Sequence, residues 1–191
     1  MLVCMFLGIN VNFVKAEPKL ATKEKLECFL TSVTTRVYPM NTDEKFPLTD
    51  DVMWNVIYKM NWNYSLIPSN KKVHIHGYDC SFFTKKELDN FAYSLFGKKF
   101  KNIKNLKYGY YNSPKYGMGC YIMPADGDLP IVAHIKKIKK MKSKIKVYYQ
   151  GIPEFELGEN HEDYGDFEAV FKKNKKSPIG YQLVSLKRSN N

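Results

Sequence analysis

The hydrophobic period of this chain changes once, near residue 105, and that change limits what it can fold into. Before it, apolar residues recur at helical spacing; after it, they alternate. Thr22 stands where a helix cap belongs, ahead of Leu26, Phe29, Leu30, Val33 and Val37, and Pro39 ends the pattern. Thr49, followed by Asp50 and Asp51 at what would be a helix's positive end, precedes a second stripe of Val52, Met53, Val56, Ile57 and Met60. The third stretch, "FFTKKELDNFAYSLFG", has the fullest signature. Thr84 and Glu87 have capping-box spacing, Phe83 and Leu88 stand at staple positions, and Gly97 suits a left-handed stop. Its core face is Leu88, Phe91, Ala92, Leu95 and Phe96.

Beyond residue 105, six segments alternate: "LKYGYYN", "YGMGCYIM", "LPIVAHIKKIKK", "SKIKVYYQ", "DFEAVFKK" and "PIGYQLVSLK". Turn residues at Asn112-Ser113-Pro114, Pro124 to Gly127, Lys142-Ser143 and Lys175 to Pro178 separate them. Helices first and strands afterwards predict an α+β fold, with about three N-terminal helices packed on one face of a curved six-stranded antiparallel sheet. The 191 residues, 44% of them hydrophobic, supply a core that needs neither disulfide nor metal to form.

The helix "FTKKELDNFAYSLFG" and the closing "FEAVFKKNKKSPIGYQLVSLKRS" carry a resemblance. Three helices followed by such a meander resemble the NTF2-like/cystatin-like arrangement of small secreted proteins from low-GC Gram-positive bacteria. The resemblance covers most of the chain beyond the first sixteen residues. It implies a fold and a secreted setting but no activity, because this architecture serves binding modules and enzymes alike.

Residues 1–16, "MLVCMFLGINVNFVKA", read as a secretory signal peptide, with Met1 to Leu7 unbroken apolar and Val14-Lys15-Ala16 before the cut. A basic n-region is missing, so we expect the natural start upstream. About 20 apolar residues are needed to span a bilayer, and Asn10, Asn12 and Lys15 interrupt this run. Residues 17–191 then form a single α+β domain that is secreted or held in the cell envelope. Export leaves Cys28, Cys80 and Cys120 in an oxidising setting, and the sequence leaves two readings open: a Cys80–Cys120 pair, or three free thiols.

Motifs with chemistry are sparse. In "VHIHGYDCSFF", His74 and His76 alternate with apolar residues and would share one strand face, as a zinc pair does when further ligands arrive. Asp79 and Cys80 are nearby, with His134 and His161 more distant, but an exposed H-x-H pair on a strand accounts for the pattern, and we assign no metal. Residues 154–168 hold seven of the 19 acidic residues, without EF-hand spacing, and read as a solvated connection. Neither G-x-S-x-G nor a phosphate-binding glycine loop occurs, so no catalytic residue and no cofactor is assigned. A small-ligand binder or enzyme with a pocket between helices and sheet, lined by Trp54, Trp62 and Phe91, is the alternative reading.

Charge is the strongest functional signal. The formal net charge is +11, and removing Lys15 with the leader gives +10. Lys136, Lys137, Lys139, Lys140, Lys142, Lys144 and Lys146 crowd one expected hairpin. Further runs follow the third helix (Lys98, Lys99, Lys101, Lys104, Lys107) and surround the last turn (Lys172, Lys173, Lys175, Lys176). With only Arg36 and Arg188 as arginines, bidentate phosphate recognition is disfavoured, and diffuse, salt-sensitive attraction is expected instead. An exported protein meets anionic cell-wall polymer or a membrane surface first. Nucleic acid is the less favoured partner, although Tyr108, Tyr110, Tyr111, Tyr116 and Tyr121 offer rings for stacking. The expected mature N-terminus is Glu17. N-terminal sequencing of exported material that begins elsewhere would remove the cleavage assignment.

Overall fold

The computed structural model describes residues 22–37, 46–62, 64–69, 71–75, 78–103, 110–115, 117–121, 131–153 and 164–189. The signal-peptide assignment at residues 1–16 lies outside them. The three expected helices are present: α1 (Thr22–Val37), α2 (Asp50–Trp62) and α3 (Lys85–Phe96). Thr49 caps α2, its hydroxyl accepting from the Val52 amide at 3.2 Å. At α3 the capping box is complete. Glu87 N–H donates to Thr84 Oγ1, and Thr84 N–H to the Glu87 carboxylate. Gly97 closes this helix at φ 73°, its N–H donating to Tyr93 O at 2.9 Å. In the last turn Asn174 donates to the Ser94 carbonyl, and Gln182 adds a second donor at Tyr93 O.

The expected single six-stranded sheet is not what forms. Among the described residues eight strands make two four-stranded sheets. The first holds β1 (Lys71–Ile75), β2 (Tyr78–Phe83), β3 (Tyr110–Ser113) and β4 (Gly117–Tyr121), in the order β1-β2-β4-β3. The second is the antiparallel meander β5 (Ile131–Lys140), β6 (Lys144–Pro153), β7 (Asp166–Lys173) and β8 (Tyr181–Arg188). The α+β class stands; the NTF2-like/cystatin-like six-stranded sheet does not. The difference arises at β2. Cys80, Ser81, Phe82 and Phe83 are all fully buried, as suits a central strand, and β2 pairs with β1 on one side and β4 on the other. That pairing draws β3 and β4 out of the meander and places two strands between α2 and α3. Gly117 allows the approach, because at φ 92° a Cβ there would lie 2.9 Å from the Phe83 carbonyl oxygen.

Helix α1 is the axis of the molecule. Leu26, Phe29, Leu30 and Val33 are fully buried, and Phe29 meets Phe96 of α3 and Phe171 of β7 at ring distances of 5.6 and 5.8 Å. Each such ring contributes roughly 1.5–3 kcal/mol by leaving water. Trp54 of α2 packs edge-on to Phe83, which packs edge-on to Phe91, joining the first sheet to α2 and α3. Three buried polar residues on α1 all find partners. Ser32 donates to Cys28 O, Thr34 shares a 2.8 Å hydrogen bond with the Tyr149 hydroxyl, and Thr31 takes an amide of β5. Burial pushes the Tyr149 phenol far above its ordinary range, so this pair stays neutral in the core.

The contact between α1 and β5 has a regular geometry. Glu27, Thr31 and Thr35, four residues apart, accept the backbone amides of Ile135, Ala133 and Ile131 at 3.1, 2.9 and 3.2 Å. Four helical residues rise about 6.0 Å and two strand residues about 6.6–6.8 Å, so the two ladders stay in step over three rungs. Side chains of α1 therefore take the place of a neighbouring strand and close the edge of β5.

Both edge strands of the second sheet carry a bulge, for the same reason. Ile135 and Ile138 are three residues apart, so a strict two-residue period cannot put both on one face. Leaving Lys136 unmatched aligns Ile135 with Tyr149 and Ile138 with Val147. In β8, Leu183 and Leu186 have the same spacing, and unmatched Val184 lets them face Phe171 and Ala169. Thr31→Val keeps the side chain's shape but leaves the buried Ala133 amide without an acceptor. We expect a loss of about 1–3 kcal/mol, read as a lower urea midpoint with an unchanged slope. An unchanged midpoint would contradict the role given to Thr31.

Candidate basic interface

Strand order decides where the lysines go. In the β5-β6-β7-β8 meander, the β5–β6 and β7–β8 turns lie at the same end of the sheet. The first turn is closed by Met141 N–H donating to Lys144 O at 2.9 Å. The second is tied by Asn174 N–H to Gly180 O, Ser177 N–H to Asn174 O and Gly180 N–H to Ser177 O. Lys144 at the start of β6 stands directly opposite Lys172 near the end of β7, joining the two lysine runs across the strands. Lys139, Lys140, Lys142 and Lys144 thus meet Lys172, Lys173, Lys175 and Lys176 at one end, all eight exposed. No carboxylate lies within 139–146 or 172–180, and no ion pair joins these eight to an acid among the described residues. The Asn174 and Gln182 bonds hold the end of α3 against the β7–β8 loop, and exposed Lys98 and Lys99 follow it.

The seven lysines of the expected hairpin divide into two groups. Lys136, the bulge residue, pairs with Asp166 at 2.8 Å, and Lys146 with Glu168 at 3.0 Å. The hydrogen bond that Lys146 donates to the Glu168 carboxylate raises the lysine's pKa, and the ammonium also lies 5.9 Å from the Tyr148 ring centre. Lys137, Lys139, Lys140, Lys142 and Lys144 are exposed and stand in no such pair among the described residues. Charge is therefore neutralised away from the turns and left uncompensated at them. Two like-charged cross-strand contacts, Lys139 opposite Lys146 and Lys144 opposite Lys172, act against folding. The sequence reading placed Lys172 to Lys176 at a separate turn. The signal that unites them is the meander itself, whose alternate turns must share an end.

The other sequence candidates are not assembled into a site. His74 is exposed on β1 opposite Asp79; residue 76 and the Asp79 side chain lie outside the described residues. His134 is exposed on β5 opposite Gln150, and His161 is again outside. Among the described residues no group of three His, Cys, Asp or Glu side chains is placed to hold a metal ion. Of the acidic stretch, residues 154–163 are outside, while Asp166 and Glu168 serve as the lysine partners above. Tyr108, Tyr116 and the side chains of Tyr110, Tyr111 and Tyr121 also fall outside. Cys80 is buried and forms no disulfide among the described residues, and in the β2–β4 register the residue opposite Cys120 is Ser81. Cys28 is half-buried on α1, and burial raises its thiol pKa.

Trp54 is fully buried against Phe83 and fills space between α2 and the first sheet instead of lining a pocket; the Trp62 side chain is outside the described residues. Cavities at the surface are shallow or already filled among the described residues. One, of about 410 Å³, is lined by Asp50, Asp51, Lys98, Lys99 and Lys101, and Asp50 already accepts the Lys101 and Asn102 amides at 2.9 and 2.6 Å. Another, of about 360 Å³, is an apolar groove between Phe46, Leu48 and Phe96 and the edge of β8. Among the described residues no helix is long and apolar enough to cross a membrane. No protein-family model matches the chain, and no curated protein matches it either.

Proposed function

We propose that this is a secreted, non-enzymatic protein of the cell envelope that associates with anionic surfaces through the lysine end of its second sheet. One observation carries the reading. Two turns distant in sequence bring eight exposed lysines to one end, with no acidic residue in either turn segment. Such a field draws polyanions from a distance and weakens steeply as salt rises. Lysine suits this task, since a compact, hydrated ammonium on a flexible stem attracts phosphate, sulfate or carboxylate without demanding one geometry. The second turn is also pre-organised, because Asn174 donates to Ser94 O at the end of α3 and accepts the Lys176 amide within the loop.

The test is retention on heparin, on anionic wall polymer and on single-stranded DNA, at low and moderate salt. Changing Lys139, Lys142, Lys172 and Lys175 together to Gln should lower the slope of log affinity against log salt by about one for each lysine engaged. A matched variant with Lys71, Lys72, Lys85 and Lys86 changed to Gln, on β1 and the start of α3, should bind as the parent does. Equal losses in both variants would show that net charge alone governs binding, and the assignment of this end would fall.

A further inference from the structure

The two edges of the second sheet are finished differently. Glu27, Thr31 and Thr35 close β5, whereas β8 has a neighbour on one side only among the described residues. Ser189 N–H donates to Asp166 O, so by the alternation of an antiparallel pair the Leu186 N–H and C=O point away from β7. Beside that edge runs the apolar groove of Phe46, Leu48, Phe96, Leu183 and Leu186, which Val184, 48% exposed, also lines. Among the described lining residues Lys98 carries the only charge, and exposed Lys99 follows it. Both lysines stand near the start of β8: a Cβ on Gly97 would lie 2.8 Å from Gln182 Nε2, which donates to Tyr93 O.

We propose that β8 is a docking edge for an extended segment of another protein. The segment adds antiparallel to β8, with apolar side chains in the groove and acidic residues at its C-terminal end against Lys98 and Lys99. Backbone pairing supplies affinity, and the groove, which meets every second side chain, supplies selectivity. Polarity follows from charge, because an antiparallel guest ends where β8 begins, beside the two lysines. The same charges turn away a second copy of this chain. Antiparallel pairing of β8 with itself would set the Lys187–Arg188 end of one strand beside Lys98 and Lys99 of the other chain, and like charges so placed oppose association. The bulge at Val184 bends the edge and confines pairing to a short segment.

The experiment adds a fluorescein-labelled heptapeptide to the full chain at physiological salt, where charges beyond about 8 Å are largely screened. The peptide carries valine at its second and fourth positions, threonine at its first, third and fifth, and two glutamates at its C-terminal end. Its anisotropy should rise on binding, and a version ending in two lysines should bind about ten-fold more weakly. Lys98→Glu with Lys99→Glu should reverse that preference. Changing Lys139, Lys142, Lys172 and Lys175 to Gln should leave the affinity for the glutamate peptide within about two-fold of the parent's, which separates this edge from the lysine end. Hydrogen exchange at the Leu186 amide should slow when the glutamate peptide is bound. No binding at about 1 mM peptide overturns the proposal, as does binding that leaves Leu186 exchange unchanged or that is lost in the lysine-to-Gln variant. Slow Leu186 exchange in a peptide-free dimer would assign the edge to a second copy and overturn it too.

Discussion

Three hydrogen bonds between side chains of a helix and the backbone of a strand organise the second half of this protein. Glu27, Thr31 and Thr35 take the outward amides of Ile135, Ala133 and Ile131. Without them β5 would present an open row of donors to any other strand, and its register against the core would rest on few side chains. Threonine suits the second and third positions because its hydroxyl sits close to the helix and reaches a backbone only if helix and strand are nearly in contact. Small residues, close approach and amide capture therefore go together, and they seat α1 at the edge of the sheet whose inner face meets Phe29 and Thr34.

The same contact has consequences at the other end of β5. With Ile131, Ala133 and Ile135 fixed to α1, the strand must change phase to keep Ile138 over Val147, and the bulge at Lys136 does so. The bulge directs Lys136 to Asp166, while the lysines beyond it have no carboxylate within reach among the described residues. Folding tolerates two like-charged cross-strand contacts at this end, Lys139 with Lys146 and Lys144 with Lys172. A surface that needed lysine only for solubility would gain by interspersing acids, as the opposite end of β7 does with Asp166 and Glu168. The segregation of charge along one sheet gives the anionic-surface reading its physical basis.

Much of this was legible in the sequence where the signal was local. The cap at Thr84, the stop at Gly97 and the stripes of α1 and α2 depend on residues within a turn of one another. The meander β5 to β8 was equally plain from alternation. What escaped was non-local. "VHI" and "YDCSFF" gave no sign that they pair with each other, nor that Cys80 to Phe83 would take β4 as a second neighbour and divide the sheet in two. The role of the polar residues Thr31 and Thr35 is visible only once β5 is beside them. The lysine runs were conspicuous, yet their union across β6 and β7 required the strand order as well as the composition.

Amide hydrogen exchange at Ile131, Ala133 and Ile135 tests the helix–edge contact most directly. The account predicts that these three amides exchange as slowly as those of Ala169 and Phe171 in the sheet interior, and that changing Glu27 to Ala with Thr31 and Thr35 to Val exposes them while Ala169 and Phe171 stay protected. Rapid exchange of all three in the unaltered protein would mean that the edge of β5 is open, and would contradict it.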